Sequence, residues 1–147
     1  MSSGVLFSES ARVTANRRIR VVVADDSQTA LAAICRYLKF EDIFEIVGTA
    51  RNGEELIAET VRLVPDLVLS DLSMPRMSGL EAASELRRIR PELRILIVTQ
   101  LSGLSLRNEC LRCGADDLIE KSQLPEKLMA DVRRLFPNFS GTRGSHG

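Results

Sequence analysis

"VVVADDS", residues 21–27, sets three valines and an alanine directly ahead of two adjacent aspartates. A β-branched run of this kind reads as a buried strand. Two carboxylates side by side at its end repel each other unless something gathers there to hold them. One bland role is open to them, since Asp26 or Ser27 could cap the helix that follows.

Working outward, the same alternation repeats along the chain. "IRVVVA" (19–24), "FEIVGTA" (44–50), "DLVLS" (66–70), "RILIVT" (94–99) and "DLIE" (117–120) read as strands. Between and after them, residues 28–39, 53–63, 79–90, about 103–113 and 125–136 carry Leu, Ile, Ala and Met at helical spacing. Ser78 with Glu81, and Asn52 with Glu55, have the spacing of capping boxes. Pro125 suits a first helical turn, and Pro91, Gly114 and Pro137 follow helices. Strict strand–helix alternation with near-continuously apolar strands predicts an α/β fold: a doubly wound, five-stranded parallel sheet with five helices over its two faces.

The 147 residues suit one domain. Residues 1–17 read as a flexible leader, 18–137 as the folded domain and 138–147, with the lone His146, as a flexible tail or linker stub. Lysine plus arginine and aspartate plus glutamate are 20 each, so no overall basic field draws the chain to nucleic acid or an anionic membrane. Apolar runs fall far short of a bilayer span, and the N-terminus lacks the order of a signal peptide, which points to the cytoplasm. Cys35, Cys110 and Cys113 are an odd set that suits a reducing compartment. Cys110 and Cys113 form C-x-x-C, but with Leu106 they also follow the i, i+4, i+7 stripe of a buried helix face, the reading preferred here over zinc.

In open α/β sheets, ligands bind beyond the carboxyl ends of the strands, where the winding reverses. Asp25 and Asp26 follow the first strand, Asp71 the third, Thr99 ends the fourth, and Lys121 lies just past the fifth. Alone, each has an ordinary reading: an Asx turn for Asp71, a strand residue for Thr99, a solvated cation for Lys121. Together they describe a crevice. Three converging carboxylates call for a hard divalent cation, and an oxygen-only, incomplete ligand set points to Mg²⁺, which accepts phosphate as a further ligand. Lys121 and Thr99 would then meet a phosphate-sized anion.

"VVVADDS", "PDLVLSDLSMPRMSGLEAA", "ILIVT" and "GADDLIEKS" resemble the receiver domains of bacterial two-component response regulators, in style closest to receivers of helix-turn-helix transcription regulators. The intervals of 45 residues from Asp26 to Asp71, 28 to Thr99 and 22 to Lys121 fit as well. The resemblance implies a flavodoxin-like fold and a phosphorylation-activated switch. Asp71 would accept a phosphoryl group from a sensor histidine kinase or a phosphotransfer protein. Asp25, Asp26, Asp71 and the Ser73 backbone carbonyl would hold Mg²⁺, with Asp26 favoured over Asp25 as a direct ligand. Thr99 and Lys121 would read the phosphate, Pro75 and Gly79 would shape the loop, and the face of the fourth helix, fifth strand and fifth helix would change.

Two departures stand out against that pattern. Leu118 occupies the position where the family usually has an aromatic that turns inward on activation. Gln100 is larger than the small residue of many relatives and, with Ser73, borders the phosphorylation site, where the two would tune phosphate lifetime. Leu101, Leu104, Leu106 and Leu111 lie on more than one side of the fourth helix region, offering a homodimer or docking surface for a downstream protein. After Pro137 only ten residues remain, with no DNA-reading element, so the chain reads as a stand-alone receiver or the receiver portion of a longer DNA-binding regulator. An aspartate-nucleophile phosphatase is the remote alternative: it wants a second carboxylate two residues after Asp71, where Ser73 stands.

Overall fold

The structure, a computed structural model, describes residues 17–101 and 103–139. All but the last residue of the leader expected over residues 1–17, His146 and most of the expected tail lie outside these. The five strands are β1 (Ile19–Ala24), β2 (Phe44–Ala50), β3 (Leu67–Ser70), β4 (Arg94–Thr99) and β5 (Asp117–Glu120). The helices are α1 (Gln28–Phe40), α2 (Gly53–Leu63), α3 (Gly79–Ile89), α4 (Leu104–Arg112) and α5 (Leu124–Leu135). A single 3₁₀ turn at Lys121–Gln123 joins β5 to α5, a short element the periodicity did not show.

All pairings are parallel and the sheet order is β2-β1-β3-β4-β5, so the winding reverses between β1 and β3. Alternation along the buried strands divides the core. Val22, Ala24, Val68, Ile95 and Ile97 pack toward Leu56 of α2, Ala82, Ala83 and Leu86 of α3 and Cys110 of α4. Val21, Val23, Leu67, Leu69, Leu96 and Val98 pack toward Ile34 and Leu38 of α1 and Leu128 and Val132 of α5. Burying a full-length aliphatic side chain contributes roughly 1.5–3 kcal/mol, and β1, β3 and β4 bury nearly every one they have. These three central strands are the rigid platform on which the crevice stands.

The helix starts follow local chemistry. Ser27, not Asp26, caps α1, its Oγ accepting the Ala30 N–H at 3.2 Å, which leaves both aspartates for other work. The Ser78–Glu81 capping box is complete. The Asn52 box is realised by half: Asn52 Oδ1 accepts from Glu55 N, but the Glu55 carboxylate turns to the N–H of Arg51 instead of Asn52. α2 ends in a left-handed Val64, whose carbonyl and that of Leu63 are bound by Arg20 Nη1 at 2.8 Å each. α4 is the least anchored helix: Gly103, at φ 128°, gives no side-chain cap, and only Cys110 is fully buried. Past α5, Phe139 still packs on the core, with its ring centroid 5.7 Å from that of Phe136.

Candidate functional site

Backbone hydrogen bonds carry the sheet one step beyond β1 and β3. Asp25 N–H donates to Ala50 O at 3.1 Å, and Asp71 N–H donates to Ala24 O at 2.8 Å. These bonds hold the two aspartates side by side at the topological switch point. Asp25 is 1% exposed; its Oδ1 accepts Ser27 N–H at 2.9 Å and its Oδ2 accepts Lys121 Nζ at 2.9 Å. Asp71 Oδ1 accepts Leu72 N–H at 2.9 Å and lies 3.7 Å from Lys121 Nζ. Asp26 is exposed at the rim, its backbone carbonyl held by Arg51 Nη2 at 3.0 Å.

One carboxylate oxygen from each of Asp25, Asp26 and Asp71 lies within 4.8 Å of the others. Opposite ligands of an octahedral Mg²⁺ are about 4.2 Å apart, so the donor set is of the right chemistry and nearly the right span for that ion. The charge state agrees: burial, then the neighbouring Asp25, raise the Asp71 pKa, with Asp26 adding to them against Lys121 and the Leu72 N–H. Lys121 alone does not balance the three carboxylates.

The open cleft above the trio, about 360 Å³, brings in Ser73, Thr99, Gln100 and Leu101 together with Lys121. Every residue the sequence placed at this crevice therefore meets there. Thr99 is buried, and its Oγ1 accepts Leu101 N–H at 3.2 Å, leaving its own proton to donate. Ser73 and Gln100 are exposed on the rim. Pro75 O accepts Met77 N–H at 2.7 Å, around Arg76 at φ 71°. A side chain at Gly79 would put its Cβ 2.0 Å from the Asp71 carbonyl oxygen, so only glycine lets α3 start this close to the β3–α3 loop.

Leu118 is buried beside Cys110 and Ala115, already occupying the inward position. Leu101, Leu104 and Leu111 are exposed while Leu106 packs on the core, and the Cys110 thiol, buried as expected of a core stripe, is pushed up to about 11 by that burial. Two features escaped the sequence reading. Arg51 reaches across from the end of β2 to the β1–α1 loop, and Asp117 and Asp131 meet at the β5–α5 seam. No local signal could have joined them, since each pairing spans an element boundary.

Residues 21–133 match the response regulator receiver domain family, and the chain belongs to it. Among curated proteins, it is 34% identical over 113 residues to a protein-glutamate methylesterase/protein-glutamine glutaminase of Clostridium acetobutylicum, covering 76% of this chain and 33% of that protein. It is 33% identical over 118 residues to response regulator GacA of Pseudomonas viridiflava, covering 80% of this chain and 55% of that one. The chain thus spans from a third to about half the length of these relatives. Among solved structures, the response regulator domain of Thermotoga maritima CheB superposes with a TM-score of 0.74 at 28% identity, over 81% of this chain and 96% of that one. CheY in the CheX-CheY-BeF3-Mg+2 complex of Borrelia burgdorferi gives a TM-score of 0.74 at 27% identity, over 80% and 89%. The chain is a phosphorylation-activated response regulator receiver with the flavodoxin-like fold of that family. Among the described residues, no helix is long and apolar enough to cross a membrane.

Proposed function

We propose that Asp71 is the phosphoacceptor and that Asp25, Asp26, Asp71 and the Ser73 carbonyl hold the Mg²⁺ that receiver domains generally bind. The observation that carries this reading is the convergence of three carboxylates and one lysine at the switch point, within one cleft. An Asp71 carboxylate oxygen attacks the phosphorus of a phosphohistidine on a partner protein. The P–N bond breaks, its electron pair goes to the imidazole, and an acyl phosphate remains on Asp71. Mg²⁺ supplies charge neutralisation for the transferring phosphoryl oxygens.

The chain's own residues do the rest. Lys121, now held by Asp25, is within reach of a phosphoryl group on Asp71, and the Thr99 hydroxyl has a proton to give it. Engaging these two pulls on the ends of β4 and β5, and the α4–β5–α5 face shifts toward a conformation that a downstream protein or a second copy binds. α4 is suited to move, with one fully buried residue and no side-chain cap. Leu118 is already inward, so the response in this chain does not wait on an aromatic rotamer. Ser73 and Gln100, on the rim, govern the approach of water and so the lifetime of the phosphate.

Incubation with acetyl phosphate and Mg²⁺, followed by intact mass measurement, tests the assignment. One phosphoryl mass is expected on the wild type and none on Asp71→Asn. Equal labelling of both, or none on either, overturns it.

A further inference from the structure

At the open edge of the sheet, β5 carries Asp117, 1% exposed, and α5 presses Asp131, 3% exposed, against it. Burying one carboxylate is costly; burying two together requires cations, a proton, or both. Three cations surround the pair. Asp117 Oδ1 accepts Arg107 Nε of α4 at 2.8 Å, and its Oδ2 accepts Lys127 Nζ of α5 at 3.0 Å with Arg134 Nη2 at 3.8 Å. Asp131 Oδ1 takes Arg134 Nη2 at 3.1 Å and has Lys127 Nζ at 3.9 Å. Asp131 Oδ2 is sealed from solvent and has no donor. Of the remaining neighbours, the buried Cys110 of α4 stays a neutral thiol, and Asp116, directly ahead of β5, is engaged by Arg87 and Arg94.

An ionised oxygen with no donor, in a sealed site beside a second carboxylate, is the one arrangement the three cations leave unsolved. A proton on Asp131 shared with Asp117 solves it, because it turns the orphan acceptor into a donor. We propose that Asp117 and Asp131 share one proton at the β5–α5 seam, and that its loss loosens α5 from β5, giving this face a proton-driven response separate from the phosphorylation crevice. Asp131 sits between Leu128 and Val132, the fully buried anchors of α5, so repelling its side chain strains the helix's whole core-facing row. The charge states support the geometry. Burial and then the hydrogen bond to Asp117 raise Asp131 to about 6, against Arg134 and Lys127. On Asp117, burial is outweighed by hydrogen bonds from Asp131, Lys127, the Leu118 N–H and Arg107, which bring it to about 2. The significance for signalling rests on α4–β5–α5 being the output face; the proton site itself does not.

The test is a carboxyl-carbon and amide NMR titration between about pH 3 and pH 8 of the wild type, Asp131→Asn, Asp117→Asn and Asp71→Asn. In the wild type the Asp131 carboxyl carbon is expected to titrate with a midpoint about 6, and amides of Asp117–Glu120 and Leu124–Leu135 move with it. Asp131→Asn, whose side-chain N–H replaces the shared proton, holds those amides at their low-pH positions throughout. Should that variant not fold, Asp117→Asn decides: an amide donor facing Asp131 lowers its midpoint by about one unit or more. Asp71→Asn keeps the wild-type titration. An Asp131 midpoint in the ordinary range of about 4, or seam amides that do not follow it, overturns the proposal. Failure of the phosphoacceptor assignment shows separately, as absent phosphoryl mass, and leaves this titration untouched.

Discussion

Lys121 Nζ lies 2.9 Å from Asp25 Oδ2 and 3.7 Å from Asp71 Oδ1. On the proposed assignment, the cation that would read the phosphate is thus held by a carboxylate of the proposed metal set before any phosphoryl group arrives. Lys121 in effect occupies part of the charge-balancing role that a bound dication would take over, and transfer of the lysine from Asp25 toward a phosphorylated Asp71 is a ready first step of the switch.

Replacing Lys121 with Met removes the only ion-pair partner, among the described residues, of a carboxylate that is 1% exposed. Without metal, the variant should lose about 1–3 kcal/mol of stability in urea. With Mg²⁺ much of that loss should be recovered, because the dication answers the same charge. A loss that Mg²⁺ does not reduce would mean that the carboxylates do not share a site with the ion.

Asp71 in its folded surroundings binds its proton more tightly than in the unfolded chain, first through burial and then through Asp25. Its folded pKa is raised, so its contribution to stability is complete below the ordinary aspartate range and is lost as pH rises through the folded value. In metal-free buffer at neutral pH, Asp71→Asn should therefore be the more stable protein, on the order of 1 kcal/mol or roughly 3–5 °C in Tm. The difference should shrink as pH is lowered toward about 4. Thermal unfolding of both proteins across that range checks the sign.

Gly79→Ala places a methyl 2.0 Å from the Asp71 carbonyl oxygen and 3.1 Å from its carbonyl carbon, backbone atoms with no flexible tip to yield. The loop must move. A loss of roughly 2–4 kcal/mol is expected from chemical denaturation, and acetyl phosphate labelling of Asp71 should slow in the fraction that remains folded.

Arg51 Nη2 fixes the backbone of Asp26 from a neighbouring strand end. Arg51→Ala should leave Tm within about 1 °C while weakening Mg²⁺ binding severalfold by calorimetry, and Arg51→Lys should restore part of it. Unchanged affinity in the alanine variant would show that the β1–α1 loop holds its shape unaided.

The elements were legible because period and punctuation agreed along the chain: "VVVADDS" ended its strand where the structure ends it, and Ser78 with Glu81 opened α3 as a complete capping box. The trio, Thr99 and Lys121 were legible too, since each sits at a strand's carboxyl end and the parallel topology brings those ends to one edge. Where side chains chose among several nearby partners, the sequence decided less: the Asn52–Glu55 spacing predicted a full capping box, and the cap of α1 stood open between Asp26 and Ser27. Glu55 turns to Arg51 N instead of Asn52 N, and Ser27 rather than Asp26 caps α1.

The sequence alone determined the alternation of strand and helix, the residues that form the crevice and the family that they mark, because these depend on local periodicity and on spacing along the chain. Only the tertiary structure decided that Lys121 rests on Asp25, that Arg51 holds Asp26 and that Asp117 meets Asp131 in a sealed seam. Those contacts join residues far apart in the chain, and their energies come from burial and charge, which exist only after the elements have packed.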